Sequence, residues 1–218
     1  MNPVLIGVIA ITVIISLVGF QNPTFFEKYK FNVSAIQNRK EYIRLFSAGF
    51  LHADFTHLLF NMLTLYFFGP IVVEAFGIAG FIIIYLGSIF LGNYFSLFLY
   101  KNQPWYSAIG ASGGVSGILF AAIAIFPHIG IGFMFIPIPI PGYIFGALYF
   151  GYSVYMMLNP RANDNIGHAA HLGGAFFGLV YAIALQPQVA MSNALYLGIM
   201  SLPLIYMGYQ VFVKKRIG

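Results

Sequence analysis

Cysteine is absent from the 218-residue chain. Its absence excludes disulfides, thiol nucleophiles and cysteine-ligated metals, and leaves no indication of redox compartment. Charge is nearly absent too. Asp, Glu, Lys and Arg make up 7% of the residues, against about a quarter in soluble domains. So little charge cannot coat a globular surface, and it also rules out a disordered chain or a coiled coil. What is present is apolar: 60% hydrophobic, 18% aromatic, with a mean hydropathy of +0.87. These values describe an all-α polytopic membrane protein whose chain lies mostly inside a bilayer. Ten Lys and Arg against five Asp and Glu give a net charge of +5. Scattered over loops of a hydrophobic chain, they read as membrane-flanking charge, and no nucleic-acid partner is expected.

A membrane-spanning helix needs about 20 apolar residues. Seven stretches are candidates: Pro3–Phe20, Phe55–Val73, Gly80–Leu99, Ser112–Phe126, Gly142–Leu158, Gly167–Leu185 and Ala194–Val213. The fourth and fifth are short and flanked by Pro and Gly. The first has neither a basic leader nor a small-x-small cleavage site, so it is expected to be a retained span rather than a signal peptide. Most connectors are brief, as between neighbouring helices of one bundle. Residues 21–54 are the exception: a long polar-aromatic segment expected to have its own structure or function. The run from His128 to Pro141 is apolar but broken by proline, and is expected to lie along the membrane interface. No repeat and no low-complexity tract is visible. The division that follows is a six-helix core over residues 1–186 and an added helix with a basic tail over 187–218.

Polar groups inside spans are costly, so each is a functional candidate. His57 and Asn61 are spaced i, i+4 and share a helix face. They are either an interhelical hydrogen-bonding pair or two donors aimed at one oxygen. Gly110-Ala111-Ser112-Gly113-Gly114-Val115-Ser116-Gly117 permits a tight loop-to-helix turn and also places small residues four apart, the spacing of close helix packing in lipid. Gly167-His168-Ala169-Ala170-His171-Leu172-Gly173-Gly174 continues to Gly178 and sets His171, Gly174 and Gly178 on one face. A lone intramembrane histidine is more often structural. Beside one glycine stripe, with a Ser-Gly stripe on another helix, it gains a chemical reading. Serine supplies a nucleophile, and histidine a base with an intrinsic pKa of about 6.5. The His57–Asn61 pair and the backbone N–H at Ser112 supply oxyanion donors. No Asp lies near His171 in the spans, Asp164 sitting just outside, so a Ser-His dyad fits better than a triad. With alternating spans, the second, fourth and sixth all begin on one side. The polar groups then lie at one shallow depth that water can reach.

With these motifs in place, the sequence resembles a rhomboid intramembrane serine protease. The segment from Phe50 to Met62, which holds His52, His57 and Asn61, resembles the second-helix signature of that family. Gly110-Ala111-Ser112-Gly113 resembles the nucleophile motif and Ala170-His171-Leu172-Gly173-Gly174 the histidine motif, and Phe68 to Gly77 resembles the end of the second helix. The resemblance runs from the first span through the sixth. It implies Ser112 as nucleophile, His171 as general base, and His57, Asn61 and the Ser112 N–H as the oxyanion hole. His52 becomes a structural or water-binding histidine. Residues 21–54 become a membrane-embedded first loop with Arg44 as its anchoring arginine. Gly110, Gly113 and Gly174 support the site. The sequence departs from the pattern twice. Many members have an aromatic residue four positions after the serine, packed on the histidine; here that position is Ser116. Many have Trp just before the loop arginine; here it is Ile43. Ser116 lies in a second Gly-x-Ser-Gly, one turn or about 6 Å deeper, and ranks below Ser112 as nucleophile.

The activity so implied is intramembrane endopeptidase cleavage of single-span membrane proteins, with neither metal nor other cofactor. The competing readings are an inactive relative that binds membrane clients, a metal site made from His52, His57, His168 and His171, and a transporter. The metal reading lacks a His-Glu-x-x-His motif and has no inward carboxylate beyond Glu74. The transporter reading conflicts with the shallow polar set. The expected location is a cell (inner) membrane. Alternation puts all ten Lys and Arg on the active-site side. The positive-inside rule makes that side cytoplasmic, while the resemblance places it outside, and the outward placement is the expectation adopted.

Overall fold

In a computed structural model, residues 2–133, 136–161, 164 and 166–215 are described. Helix α1 (Pro3–Gln21) starts where the Asn2 side chain accepts the Val4 N–H at 2.9 Å and Pro3 takes the first turn, a position that needs no N–H donor. The next segment is built, as its length suggested. It folds into α2 (Pro23–Tyr29), strand β1 (Phe31–Asn32), α3 (Val33–Arg39), α4 (Arg44–Ser47) and a 3₁₀ turn over Ala48–Phe50. Asn22 caps α2 and Asn32 caps α3. Phe31, Val33, Ile36, Leu45 and Ala48 form a small core of their own, with Tyr100 and Tyr106 packed against it.

Helix α5 (Phe55–Leu99) covers the second and third expected spans. It breaks at Gly77, whose φ of +71° and ψ of 177° no helix contains, a left-handed backbone that favours glycine. Strand β2 (Ser107–Ala108) then pairs antiparallel with β1. Helix α6 (Ser112–Ile125) is buried at every residue from Gly113 to Ala124. A helix apolar on all sides must be enclosed by others, and α6 is the centre of the bundle. Its 14 residues span only about 21 Å, less than the hydrocarbon thickness of about 30 Å.

The proline-broken run after α6 forms an antiparallel hairpin, β3 (Gly130–Phe133) with β4 (Ile136–Pro141), a pairing the sequence reading did not anticipate. Prolines at every second position leave the isoleucine N–H groups on one edge, free to pair, with the donorless residues on the other. Helices α7 (Gly142–Leu158), α8 (His168–Leu185), α9 (Pro187–Ser192) and α10 (Ala194–Gly208) follow, and the last stays helical to Val213. Among the described residues, four helices are long and apolar enough to cross a membrane: α1, α5, α8, and α10 extended to Val213.

Helices α5, α6 and α8 make the tight centre. A Cβ on Gly174 or Gly178 of α8 would fall on the backbone carbonyls of Gly113 or Gly117 of α6, and one on Gly92 of α5 would strike the Ala170 carbonyl. Three backbones therefore meet through glycine, as small residues allow in lipid. Helix α7 packs mainly against α10 and touches α6 far less. The 21–54 segment joins the 100–111 connector through β1–β2, Arg161 lines a cavity with Tyr100 and Asn102, and Phe212 meets Phe98. The Lys- and Arg-bearing segments thus gather at one end, where α6 and α8 begin.

Candidate active site

Ser112 is the first residue of α6 and His171 lies in the first turn of α8. The glycine contact between the two helices brings them together: Ser112 Oγ and His171 Nε2 are 2.6 Å apart, joined by a hydrogen bond. They open on a cavity of about 530 Å³ that His57, Asn61, Ser116, Tyr149 and Gly167 also line. Asp164 bonds His168 Nε2 at 3.0 Å, and no hydrogen bond joins it to His171. Among the described residues, the hydrogen bond of the His171 ring is the one to Ser112.

The turn into α6 is fixed from two directions. Gly110 has φ +122° and donates its N–H to the Ala48 carbonyl at 3.0 Å. A Cβ there would sit 2.7 Å from the His57 ring, so glycine is required by both backbone and neighbour. The Ala111 N–H donates to His52 Nε2 at 3.3 Å, while His52 Nδ1 meets Ser16 Oγ at 2.8 Å and Ser16 donates to the Phe50 carbonyl at 2.9 Å. With the Ser16 hydrogen committed to Phe50, the Nδ1–H tautomer of His52 completes the chain. His52 therefore ties α1 to the residue before Ser112. Only 1% of it is exposed, and burial, followed by the neighbouring His57, pushes its pKa down to about 3.

His57 enters the site from the first turn of α5, where Asp54 Oδ1 accepts its N–H at 2.8 Å. Its ring packs edge-on against His52 at 4.9 Å. Asn61 sits on the same wall, as the i, i+4 spacing required. One of its amide hydrogens goes to the His57 carbonyl at 3.0 Å, which leaves one for a ligand. Helix α6 begins without a side-chain cap, so its first-turn N–H groups, Ser112 among them, lack intrahelical partners. Two polar side chains and a helix N-terminus thus line one cavity with the serine, groups of the kind that can donate hydrogen bonds to an oxygen bound there.

Arg44 holds the preceding segment together. It is 4% exposed, and it donates to the carbonyls of Glu27 (2.8 Å) and Lys30 (2.7 Å) and to Glu41 Oε2 (2.6 Å). Hydrogen bonds first from Arg39 and then from Arg44 draw the Glu41 carboxyl down to about 2. Ser116 is buried and exchanges a hydrogen bond with Tyr149 Oη at 2.7 Å. The four histidines considered for a metal do not converge: among the described residues no group of three or more His, Asp and Glu gathers.

Sequence reasoning missed two contributors. Ser16 was readable as a polar residue in an apolar span, one turn after Thr12. Tyr149 gave no signal, because an aromatic residue on an aromatic helix looks like lipid-facing surface.

The fold and site together define a polytopic helical membrane protein with a hydrogen-bonded Ser–His pair lining a cavity. A family profile described as a rhomboid domain matches residues 39–188. The chain belongs to the rhomboid family. It is 30% identical over 147 residues to "Rhomboid protein 1, mitochondrial" of Saccharomyces cerevisiae, covering 64% of this chain and 40% of the yeast protein. It is 39% identical over 79 residues to "Putative rhomboid protease YdcA" of Bacillus subtilis, covering 36% of this chain and 38% of that one. "RHOMBOID-like protein 12, mitochondrial" of Arabidopsis thaliana matches at 30% over 146 residues, covering 60% of this chain and 43% of the plant protein. The matches thus take in about two fifths of each relative's length.

Proposed function

We propose that the protein is an intramembrane serine endopeptidase that cleaves single-span membrane proteins through a Ser112–His171 dyad. The observation that carries this reading is the 2.6 Å hydrogen bond between the two side chains at the edge of a cavity. Ser112 Oγ attacks the scissile carbonyl carbon while His171 Nε2 takes its proton. The carbonyl oxygen becomes an oxyanion held by His57, the free amide hydrogen of Asn61 and the Ser112 N–H. Collapse breaks the C–N bond, and His171 gives its proton to the departing amine. A water that loses its proton to His171 then attacks the acyl-enzyme, and Ser112 leaves with that proton. Neither metal nor other cofactor takes part.

An intact helix hides its carbonyls, so small or helix-breaking residues near the cut should favour cleavage. Seven crossings are proposed, six of them in a catalytic core over residues 1–186 and one in the 187–218 extension. The proposed location is a cell (inner) membrane with the active-site end facing outward, as the family resemblance suggests. That orientation puts the basic end on the side the positive-inside rule disfavours. Labelling of Lys101→Cys in intact cells by a reagent that cannot cross the membrane reads the side, because the native chain has no other cysteine. Failure to label, with labelling restored on lysis, reverses the orientation and leaves the chemistry intact.

The test of the activity is cleavage of a generic transmembrane substrate by purified protein in detergent, with EDTA present. Wild type should cut, Ser112→Ala and His171→Ala should not, and Ser116→Ala should retain activity. Folded wild type that cuts nothing across several substrates favours the client-binding reading instead. Loss of one oxyanion donor, as in Asn61→Ala, should cost on the order of 10²-fold in kcat.

A further inference from the structure

The sequence leaves the histidine without its expected neighbour. Position 116, one turn beyond the nucleophile, is a serine where an aromatic ring is usual, and a general base that must meet Ser112 at one angle needs its ring held. The His171 ring is nonetheless faced by an aromatic residue. The ring of Tyr149, on α7, lies 6.2 Å from it, centroid to centroid, and is inclined by 21°, within the range of offset aromatic packing.

Tyr149 is itself fixed on three sides. Its hydroxyl bonds the buried Ser116 Oγ at 2.7 Å. Its ring meets Phe120 of α6 at 5.4 Å and Phe145 of its own helix at 5.8 Å. The serine in place of the aromatic residue therefore has a use. A ring at 116 would occupy the space Tyr149 enters, whereas a hydroxyl there both leaves room and holds the incoming phenol. Position 116 and Tyr149 read as one exchange across two helices.

We infer that Tyr149 is a positioning residue for His171, supplying from α7 the aromatic wall that position 116 does not, with Ser116 as its tether. The base is then oriented by a helix that packs mainly on α10, so the seating of α7 and the readiness of the dyad are linked.

The inference rests on the proteolytic reading above, and its test separates the two. kcat and KM are measured with the transmembrane substrate. The rate at which a fluorophosphonate modifies Ser112 is measured in parallel, since it reports the activated serine without substrate docking. Tyr149→Leu, which keeps bulk but not the ring, should lower both kcat and the modification rate about tenfold or more and leave KM within about threefold. Tyr149→Phe, which keeps the ring, should lose less than about threefold. Ser116→Phe in the Tyr149→Ala background restores a ring from α6 and should recover most of what Tyr149→Ala alone loses. Each variant is first checked for wild-type thermal unfolding. Tyr149→Leu at wild-type kcat and modification rate overturns the inference, as does a loss that Tyr149→Phe shares and the double variant does not repair. Wild type that neither cuts nor reacts overturns the protease reading and this inference together.

Discussion

Two contacts meet at His171, and they are made in opposite ways. On one side α8 touches α6 backbone to backbone, with Gly174 against Gly113 and Gly178 against Gly117. On the other, α7 meets its neighbours through side chains: Tyr149 faces the His171 ring, and away from the site the Met200 thioether of α10 lies over Gly146. A glycine contact has one geometry, because a backbone cannot change rotamer. A contact of rings and a thioether can repack. The pairing of Ser112 with His171 is thus assigned to the rigid interface, and the wall of the cavity to the adaptable one.

That contrast is broken most severely from the rigid side. Gly174→Leu or Gly178→Leu drives a side chain into a carbonyl that has nowhere to go, and should abolish both folding in detergent and activity. Overpacking commonly costs about 1–3 kcal/mol and more where the backbone itself must move. Recovery of folded Gly178→Leu on size exclusion, with activity retained, would refute the rigid contact. Next in size is Arg44→Ala. It leaves the Glu27 and Lys30 carbonyls without their donor and Glu41 with Arg39 alone, and should destabilise by about 2 kcal/mol, hydrogen bonds to charged groups being worth about 1.5–3 kcal/mol. The readout is the thermal midpoint, together with faster proteolysis of the 21–54 segment. Arg44→Lys should not restore it, because a single ammonium cannot reproduce the fork.

Acidification should come third. His52 has a pKa near 3 in the fold, against an ordinary 6.5. Between those values the unfolded chain binds a proton that the folded chain does not, so stability falls as pH drops from about 6.5 toward 3. Glu41 adds to this lower down, since its carboxyl is held near 2 against 4.5 and its contribution is lost as pH falls through that interval. The midpoint of wild type should therefore drop between about pH 6 and pH 4.5, and His52→Gln should flatten that limb. An unchanged slope in His52→Gln would remove His52 as the cause. Smallest of all should be Gly146→Ala, on the adaptable side. The new Cβ meets the thioether of the buried Met200, which can change rotamer, and comes within 3.2 Å of the Phe120 ring, so the cost should be about 1 kcal/mol, the low end for overpacking. A loss as large as that of Gly174→Leu would erase the distinction between the two interfaces.

Much of this was legible in the sequence. Long apolar stretches mark helices because the bilayer demands them, and the break at Gly77 falls in the gap left between the second and third expected spans. Ser112, His171, His57 and Asn61 stood out because each is expensive where it lies, and the glycines beside them foretold the backbone contact. What was not legible depends on contacts between distant residues. The β1–β2 pair joins segments 75 residues apart through Asn32 and Ser107, and two-residue strands leave no periodicity to read. The β3–β4 hairpin is hidden by its prolines, which usually argue against a strand. Asn61 was readable as a donor, but not the hydrogen it spends on its own helix. Tyr149 was invisible for a simple reason: its role is defined by the residue missing at position 116, on another helix.

The central claim is that His171 activates Ser112 and no other serine. The most direct measurement is mass-spectrometric mapping of the fluorophosphonate adduct on the purified protein, in wild type, Ser116→Ala and His171→Ala. An adduct on Ser112 in the first two and none in the third is the predicted result. An adduct on Ser116, or one on Ser112 that survives in folded His171→Ala, would contradict the account.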